Sequence, residues 1–405
     1  MISNLCSFII FLIPAISMLS GLVTAPGVTI LFTILILTNY KKIDFTRIVN
    51  NKYEIAFFAW LLLSCIWSPA GLAAFSKFAS VSLLTIGMLL VTDLSWYEKI
   101  DKYKKFALPL IIGSIFSLIF FLIEYISDGF ISKTFRSFVQ PHGKMNFHIN
   151  FLDRGCSVLA MLAWPVILVL CKKRKWLITI LYIVSVVFTL RISDSLASYL
   201  GFILGIIVFL CLLFSRMYLI YFVMFGVFAS AIFMPIFSYI QSPRELCHIY
   251  PNAPDSGKHR LYIWKFASEK AIEKLAFGYG FNSSPEIEVD EEEDMIYYNQ
   301  YRWHPLPLHP HNVFIQFWLE TGIVGLALFT GLLLKIFSRL MKAYRKNSDL
   351  LWASVCGGCF ANYFFIALIS YGVWQLWWLA TNILVIIFFV LFQDIENSPK
   401  SIRQI

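Results

Sequence analysis

The sequence predicts an all-α polytopic membrane protein of about twelve transmembrane helices, with a large, partly helical periplasmic loop. Three observations carry that expectation. The 405-residue chain is 59% hydrophobic and 14% charged, with a mean hydropathy of +0.73, against about 45–50% apolar and about 25% charged residues in soluble domains. Apolar runs close to the ~20 residues needed to cross a bilayer recur along the chain. Basic residues cluster between those runs, at Lys41/Lys42, Lys102/Lys104/Lys105, Lys172–Lys175 and Lys335–Lys346. That is how cytoplasmic loops read, so the net charge of +9 points away from nucleic acid.

The predicted spans are 5–21, 25–40, 54–68, 78–94, 106–126, 153–171, 177–193, 196–214, 217–240, 312–334, 350–370 and 374–393. Gly21 to Pro26 makes the first connection tight, and the first 40 residues read as two retained helices, lacking a small-residue cleavage site after a charged start. The chain divides into 1–240 (nine spans), 241–311 (the periplasmic loop subdomain) and 312–405 (three spans and a cytoplasmic tail). Loops 41–53, 95–105, 172–176 and 335–349 hold the Lys and Arg and all connect an even span to an odd one. Both termini are then inside, and 127–152 and 241–311 outside. All seven histidines fall in the two outside segments: His142, His148, His248, His259, His304, His309 and His311.

Within 241–311, Leu261, Trp264, Ala267, Ala271 and Leu275 recur at helical spacing from Asp255 onward, as in an amphipathic helix on the outer face. Arg260 and Trp264, one turn apart, share a side of it. The acidic run Glu286 to Asp294 reads as a solvated face, with a divalent-cation site as the alternative, since clustered carboxylates suit hard cations. Seven of the eight cysteines lie in or beside apolar runs and Cys247 stands alone, so no disulfide framework is expected. Cys356 and Cys359 read as a packing pair.

The segment with chemical promise is His304-Pro-Leu-Pro-Leu-His309-Pro310-His311-Asn312, which runs directly into the tenth span. Proline suits the first helical position. Pro310 is therefore expected to open the helix, with His309 as cap and His311 as second residue. Exposed N–H groups at a helix start bind anions, and the dipole disfavours imidazolium, which makes His311 the candidate catalytic base. His309, Asn312 and Trp264 are candidate supporting residues, with interfacial anchoring the alternative for His304 and His309. Arg260 has the planar fork that phosphates need, or is an ordinary surface charge. Charges at membrane boundaries are costly unless paired or wet. Arg154 at the start of the sixth span and Arg191 at the tight outer turn between the seventh and eighth are therefore candidates too, unless they neutralise Asp153 and Asp194. Glu320, nine residues after His311, lies ~180° away around a helix and should face elsewhere. Nothing forms a DxD metal motif, so neither a metal nor a cofactor is expected.

The pattern His311-Asn312, nine residues, Gly322, two residues, Gly325 resembles the signature of the O-antigen ligase family of the O-antigen ligase/polymerase superfamily. The phrase LPLHPHNVFIQFWLETGIVGL is similar over its whole length, HRLYIW followed by GYG resembles the upstream motif, and DRGCSVLAMLAWP resembles a sixth-span motif of one branch. The resemblance implies transfer of a glycan from undecaprenyl diphosphate to a hydroxyl of the lipid A core oligosaccharide, at the periplasmic face of the bacterial inner membrane. It implies His311 as the base and Arg260 on the donor diphosphate, among membrane lipids. An arginine that the family often carries after the seventh span is missing here, near Leu196; Arg154, or Arg191, stands as the substitute. One displacement inverts the anomeric carbon. The alternatives are a polysaccharide polymerase using the same donor, and a solute transporter. The transporter is disfavoured because no repeat is visible and the charges gather at the outer ends of spans.

Overall fold

The computed structural model describes residues 2–43, 51–92, 101–139, 147–214, 218–345 and 350–393. His142 and parts of the basic loops 41–53, 95–105 and 335–349 lie outside these residues. Fifteen α-helices are described: α1 Ile2–Ser17, α2 Thr24–Asn39, α3 Lys52–Ser64, α4 Leu72–Thr92, α5 Leu108–Ile126, α6 Phe130–Val139, α7 Asp153–Lys172, α8 Trp176–Ile192, α9 Leu196–Phe214, α10 Tyr218–Ile240, α11 Pro243–Ile249, α12 Asp255–Glu273, α13 Val313–Arg345, α14 Leu350–Ile369 and α15 Leu376–Phe392.

Each predicted span is a helix (α1–α5, α7–α10 and α13–α15). Among the described residues, eight helices are long and apolar enough to cross a membrane. Four of the predicted spans fall short of that length: α1, α3, α8 and α15 have 16, 13, 17 and 17 residues. The chain is a multi-pass helical membrane protein. The end of the bundle carrying residues 241–311 is called the loop face below.

α7 is the hub. Every residue from Gly155 to Lys172 is buried, because α1, α8, α14 and α15 all pack around it. Small residues let the neighbouring backbones close in. A Cβ on Gly205 of α9 would lie 2.7 Å from the Gly358 carbonyl of α14 and 2.4 Å from Trp164 of α7. A second apolar cluster gathers on α13, around Phe314 and Phe317, and a third joins α12 to it through Ile263, Phe266, Ala267, Ala271, Ile315 and Leu319. The amphipathic helix forms where expected, but its buried side is offset by a residue and Leu275 is exposed. It packs onto the start of α13, and that contact chooses the buried residues.

α13 is not one rod. Gly322 leaves helical geometry (φ 64°, ψ −170°) and separates an outer half-helix, 313–321, from an inner rod, 323–345. Backbone polar groups inside a membrane protein must be satisfied, and here they are. The carbonyl of Leu319 accepts from Tyr279 N–H (2.8 Å), that of Glu320 from Gly280 N–H (2.8 Å), and that of Thr321 from Trp60 Nε1–H (3.1 Å). On the other side of the break, Ile323 N–H donates to the Leu275 carbonyl at 3.0 Å. The Gly278-Tyr279-Gly280 loop thus plugs the break, with Gly322 only free to approach because it lacks a Cβ, which would stand 2.3 Å from the Ala276 carbonyl. A short antiparallel hairpin, β1 Ile296–Tyr298 and β2 Tyr301–Trp303, was not expected and closes the acidic segment of the loop.

Candidate active site at the mouth of the broken helix

The start of the half-helix differs from the expected arrangement. Asn312 is the cap: its Oδ1 accepts from Phe314 N–H (3.0 Å) and Ile315 N–H (3.1 Å). Pro310 and His309 therefore lie outside the helix, and His311 is the residue before the cap, in the left-handed region (φ 54°). An amide oxygen is a better acceptor for orphan helix N–H groups than an imidazole, so Asn312 outcompetes the Pro310 signal. A left-handed backbone at a non-glycine residue costs on the order of 1–3 kcal/mol and persists where the surroundings over-determine it.

The surroundings do so here. The His311 Nδ1 is hydrogen-bonded to the carbonyl of Ser370, in the turn between α14 and α15. A carbonyl only accepts, so Nδ1 carries the proton, and the neutral ring keeps a lone pair on Nε2. The His309 ring lies 4.3 Å away, tilted by 47°, and Gly372 backs it so closely that a Cβ there would be 2.9 Å from His309 Cγ. Burial pushes His311 down to about 3 and His309 down to about 4. The neighbouring His309 and the Arg260 cation push His311 the same way, against the Ser370 hydrogen bond. Burial, rather than a helix dipole, keeps His311 neutral.

Arg260, in the second turn of α12, is half-buried, and its charge reaches His309, His311, His259, Asp153 and Tyr371. Burial lowers its pKa, and the attraction of Asp153 opposes that shift. The Tyr371 hydroxyl lies 2.9 Å from Ser157 Oγ, which is 2.6 Å from Ser198 Oγ; burial pushes the phenol up to about 12, so it stays protonated. His259 donates from Nε2 to the His304 carbonyl (2.8 Å) and stacks on Trp303 at 4.9 Å.

The structure therefore brings together His311, His309, Asn312 and Arg260. Trp264 sits half-buried one turn along α12 against the third apolar cluster. Arg154 and Arg191 are not part of the cluster. Both are exposed, and among the described residues neither forms an ion pair. Arg154 packs its Cβ toward Gly21, where a Cβ would stand 2.7 Å away, while Asp153 is half-buried within electrostatic reach of both Asp194 and Arg260. Sequence reasoning missed Asp153, His259, Ser370 and Tyr371 as neighbours of the site. Nothing local announces the last two, which occupy an ordinary turn between spans. Among the described residues, the buried polar atoms that lack a partner within the protein include Asp153 Oδ1, His309 Nε2, Asn312 Nδ2 and Trp264 Nε1. Buried polar groups are ordinarily satisfied, so His309 Nε2 and Asn312 Nδ2, on either side of His311, are available to a polar ligand.

The acidic run folds on itself. Asp290 Oδ1 accepts from Glu292 N–H (2.8 Å) and Glu293 N–H (3.1 Å), and Asp294 Oδ2 accepts from Asp290 N–H (2.9 Å). Among the described residues, no three His, Cys, Asp or Glu side chains converge in a way that could hold a metal ion. Among the described residues, no disulfide joins any of the cysteines.

A bundle of membrane-crossing helices with an imidazole and a guanidinium gathered at its loop face defines an integral membrane protein with a polar cluster at one end. Residues 181–330 match the family described as O-Antigen ligase; that stretch contains Arg260, His309, His311 and the Gly322 break. The chain is 34% identical to a protein of Rickettsia bellii named "Putative polysaccharide ligase", over 94% of this chain and 96% of the other. It is 33% identical to the protein of the same name from Rickettsia felis, over 95% and 96% of the two. The chain belongs to the O-antigen ligase family, a family of polysaccharide ligases. No solved structure matches it.

Proposed function

We propose that this protein ligates O-antigen polysaccharide from undecaprenyl diphosphate to a sugar hydroxyl of the lipid A core, at the periplasmic face of the inner membrane. The observation that carries the chemistry is the tautomer of His311, with Nδ1–H committed to Ser370 and Nε2 left as an acceptor beside Arg260. The acceptor hydroxyl gives its proton to Nε2 while its oxygen attacks the anomeric carbon. The bond from that carbon to the diphosphate oxygen breaks, and the anomeric configuration inverts. Arg260 meets the diphosphate through paired N–H donors, which are stronger when both partners are charged. A bound diphosphate adds negative charge beside His311 and raises its basicity at the moment it is needed. Basic side chains then take the role that a metal plays elsewhere in phosphate chemistry. The distribution of Lys and Arg favours a loop face outside the cytoplasm.

The test is His311→Ala in cells, with lipopolysaccharide resolved on a gel. O-antigen ladders should vanish while the protein stays in the membrane; persistent ladders would refute the base. Purified protein given lipid-linked glycan with and without lipid A core should transfer only when the core is present. Chain growth without the core would reassign the protein as a polymerase.

A further inference from the structure

The nine-residue spacing would set Glu320 opposite His311 only if both lay in one helix, and His311 lies outside it; Glu320 occupies the best-connected polar position in the half-helix. It is 1% exposed. Its Oε1 accepts from Ser284 Oγ–H (2.5 Å) and Gln316 Nε2–H (2.9 Å), and its Oε2 from Asn282 N–H (2.7 Å) and Trp374 Nε1–H (2.6 Å). Four donors converge on one carboxylate, which accepts on both oxygens. They come from three parts of the chain. Asn282 and Ser284 follow the Gly278–Gly280 loop, into which α12 and its Arg260 lead. Trp374 belongs to the turn between α14 and α15. Gln316 lies one helical turn before Glu320, and its Oε1 accepts from Val373 N–H at 2.9 Å.

The half-helix therefore grips residues 373 and 374 at two points. Three and four residues upstream of that grip is the Ser370 carbonyl that holds His311. On its other side it grips the segment that follows the Arg260 helix. We infer that Glu320 is the positioning residue of this site: by binding 282–284 and 374 at once, it sets His311, held by Ser370, against Arg260. Glu320 touches neither residue and acts through the two segments that carry them. The inference rests on reading His311 as the base and Arg260 as the phosphate-binding group.

The hydrogen-bond arithmetic supplies a sharp test. In Glu320→Gln, an amide nitrogen replaces one acceptor oxygen and faces donors. Ser284 can rotate its hydroxyl to accept, but Gln316 Nε2 cannot. Gln316→Glu alone sets two carboxylates against each other. The exchange variant Gln316→Glu/Glu320→Gln reverses the direction of two hydrogen bonds, those of residue 320 with residue 316 and with Ser284, and keeps the others, including Val373 N–H to residue 316. The full-length protein, purified in detergent, is assayed for transfer from an undecaprenyl-diphosphate-linked glycan to lipid A core. Glu320→Gln should lower kcat at least ~10-fold with acceptor KM within about twofold, because small misplacements of reacting groups cost that much or more. The exchange variant should recover kcat to within about threefold of wild type, since its hydrogen bonds are intact. A carboxylate serving only as a brace would instead lower the yield of folded protein and leave its kcat unchanged. Should Glu320→Gln fail to accumulate, Trp374→Phe decides, for it keeps ring packing on Phe281 and Phe317 while deleting one donor, and a wild-type kcat there overturns the inference. So does an exchange variant no better than the single ones. His311→Ala runs alongside: if it is active, the base reading and the inference fall together, whereas an inactive His311→Ala beside a fully active Glu320→Gln rejects the inference alone.

Discussion

The His311 Nδ1–H points at the Ser370 carbonyl, joining the residue before one helix to the turn between two others, 59 positions along the chain. That single bond decides which imidazole nitrogen is available for chemistry. It also explains how a histidine in a left-handed backbone conformation is held in place.

The same bond and its buried setting predict an unusual pH profile. In the free enzyme His311 must be neutral to act as base, and burial brings its pKa to about 3. Protonation therefore removes activity only near that value, well below the ordinary imidazole range around 6.5. The acid side of kcat/KM should stay flat from about pH 7 down to about pH 5. An acid limb centred near 6.5 would show that His311 is solvated and the buried geometry is wrong.

Stability should respond in the opposite range. His309 and His311 both have depressed folded-state values, about 4 and about 3. Below ~6.5 the unfolded chain binds protons that the folded one refuses, so stability falls as pH drops from ~6.5 towards those values. Thermal unfolding in detergent should show a falling midpoint over that window. His309→Asn should flatten the dependence.

Arg260 and the two peripheral arginines should separate cleanly. Arg260→Lys keeps a charge but loses the fork, and should reduce kcat/KM by ~10–100-fold. Arg154→Ala and Arg191→Ala, whose side chains are exposed and apart from the cluster, should stay within about threefold, as surface changes generally do. Equal losses at Arg154 and Arg260 would place Arg154 on the donor after all.

Two backbone positions carry the architecture of the mouth. Gly322→Ala puts a methyl 2.3 Å from the Ala276 carbonyl at φ +64° and should cost upwards of ~3 kcal/mol, seen as loss of folded protein. Asn312→Ala removes the acceptor of two helix N–H groups and should cost ~1–2 kcal/mol, with Asn312→Asp close to wild type. Both are read by thermal unfolding.

The twelve helical segments were legible because each is a local property: a run of apolar side chains that must leave water. The residues of the site were partly legible for a related reason. His311, Asn312 and Arg260 sit in polar segments bordering apolar ones, where a costly group without a local partner draws notice. The cap was misassigned because Pro310 and Asn312 are competing local signals, and only the positions of the Phe314 and Ile315 N–H groups decide between them.

By itself, then, the sequence determined that this is a multi-pass helical membrane protein with its histidines gathered outside the spans, because hydropathy and charge act residue by residue. The tertiary structure alone decided the break at Gly322, the Ser370 carbonyl on His311, the approach of Asp153 and Arg260 to within electrostatic reach and the convergence on Glu320. Each of these joins segments tens to hundreds of residues apart. Such contacts follow from how apolar helices pack and where the freed backbone groups find partners, and no local pattern encodes either.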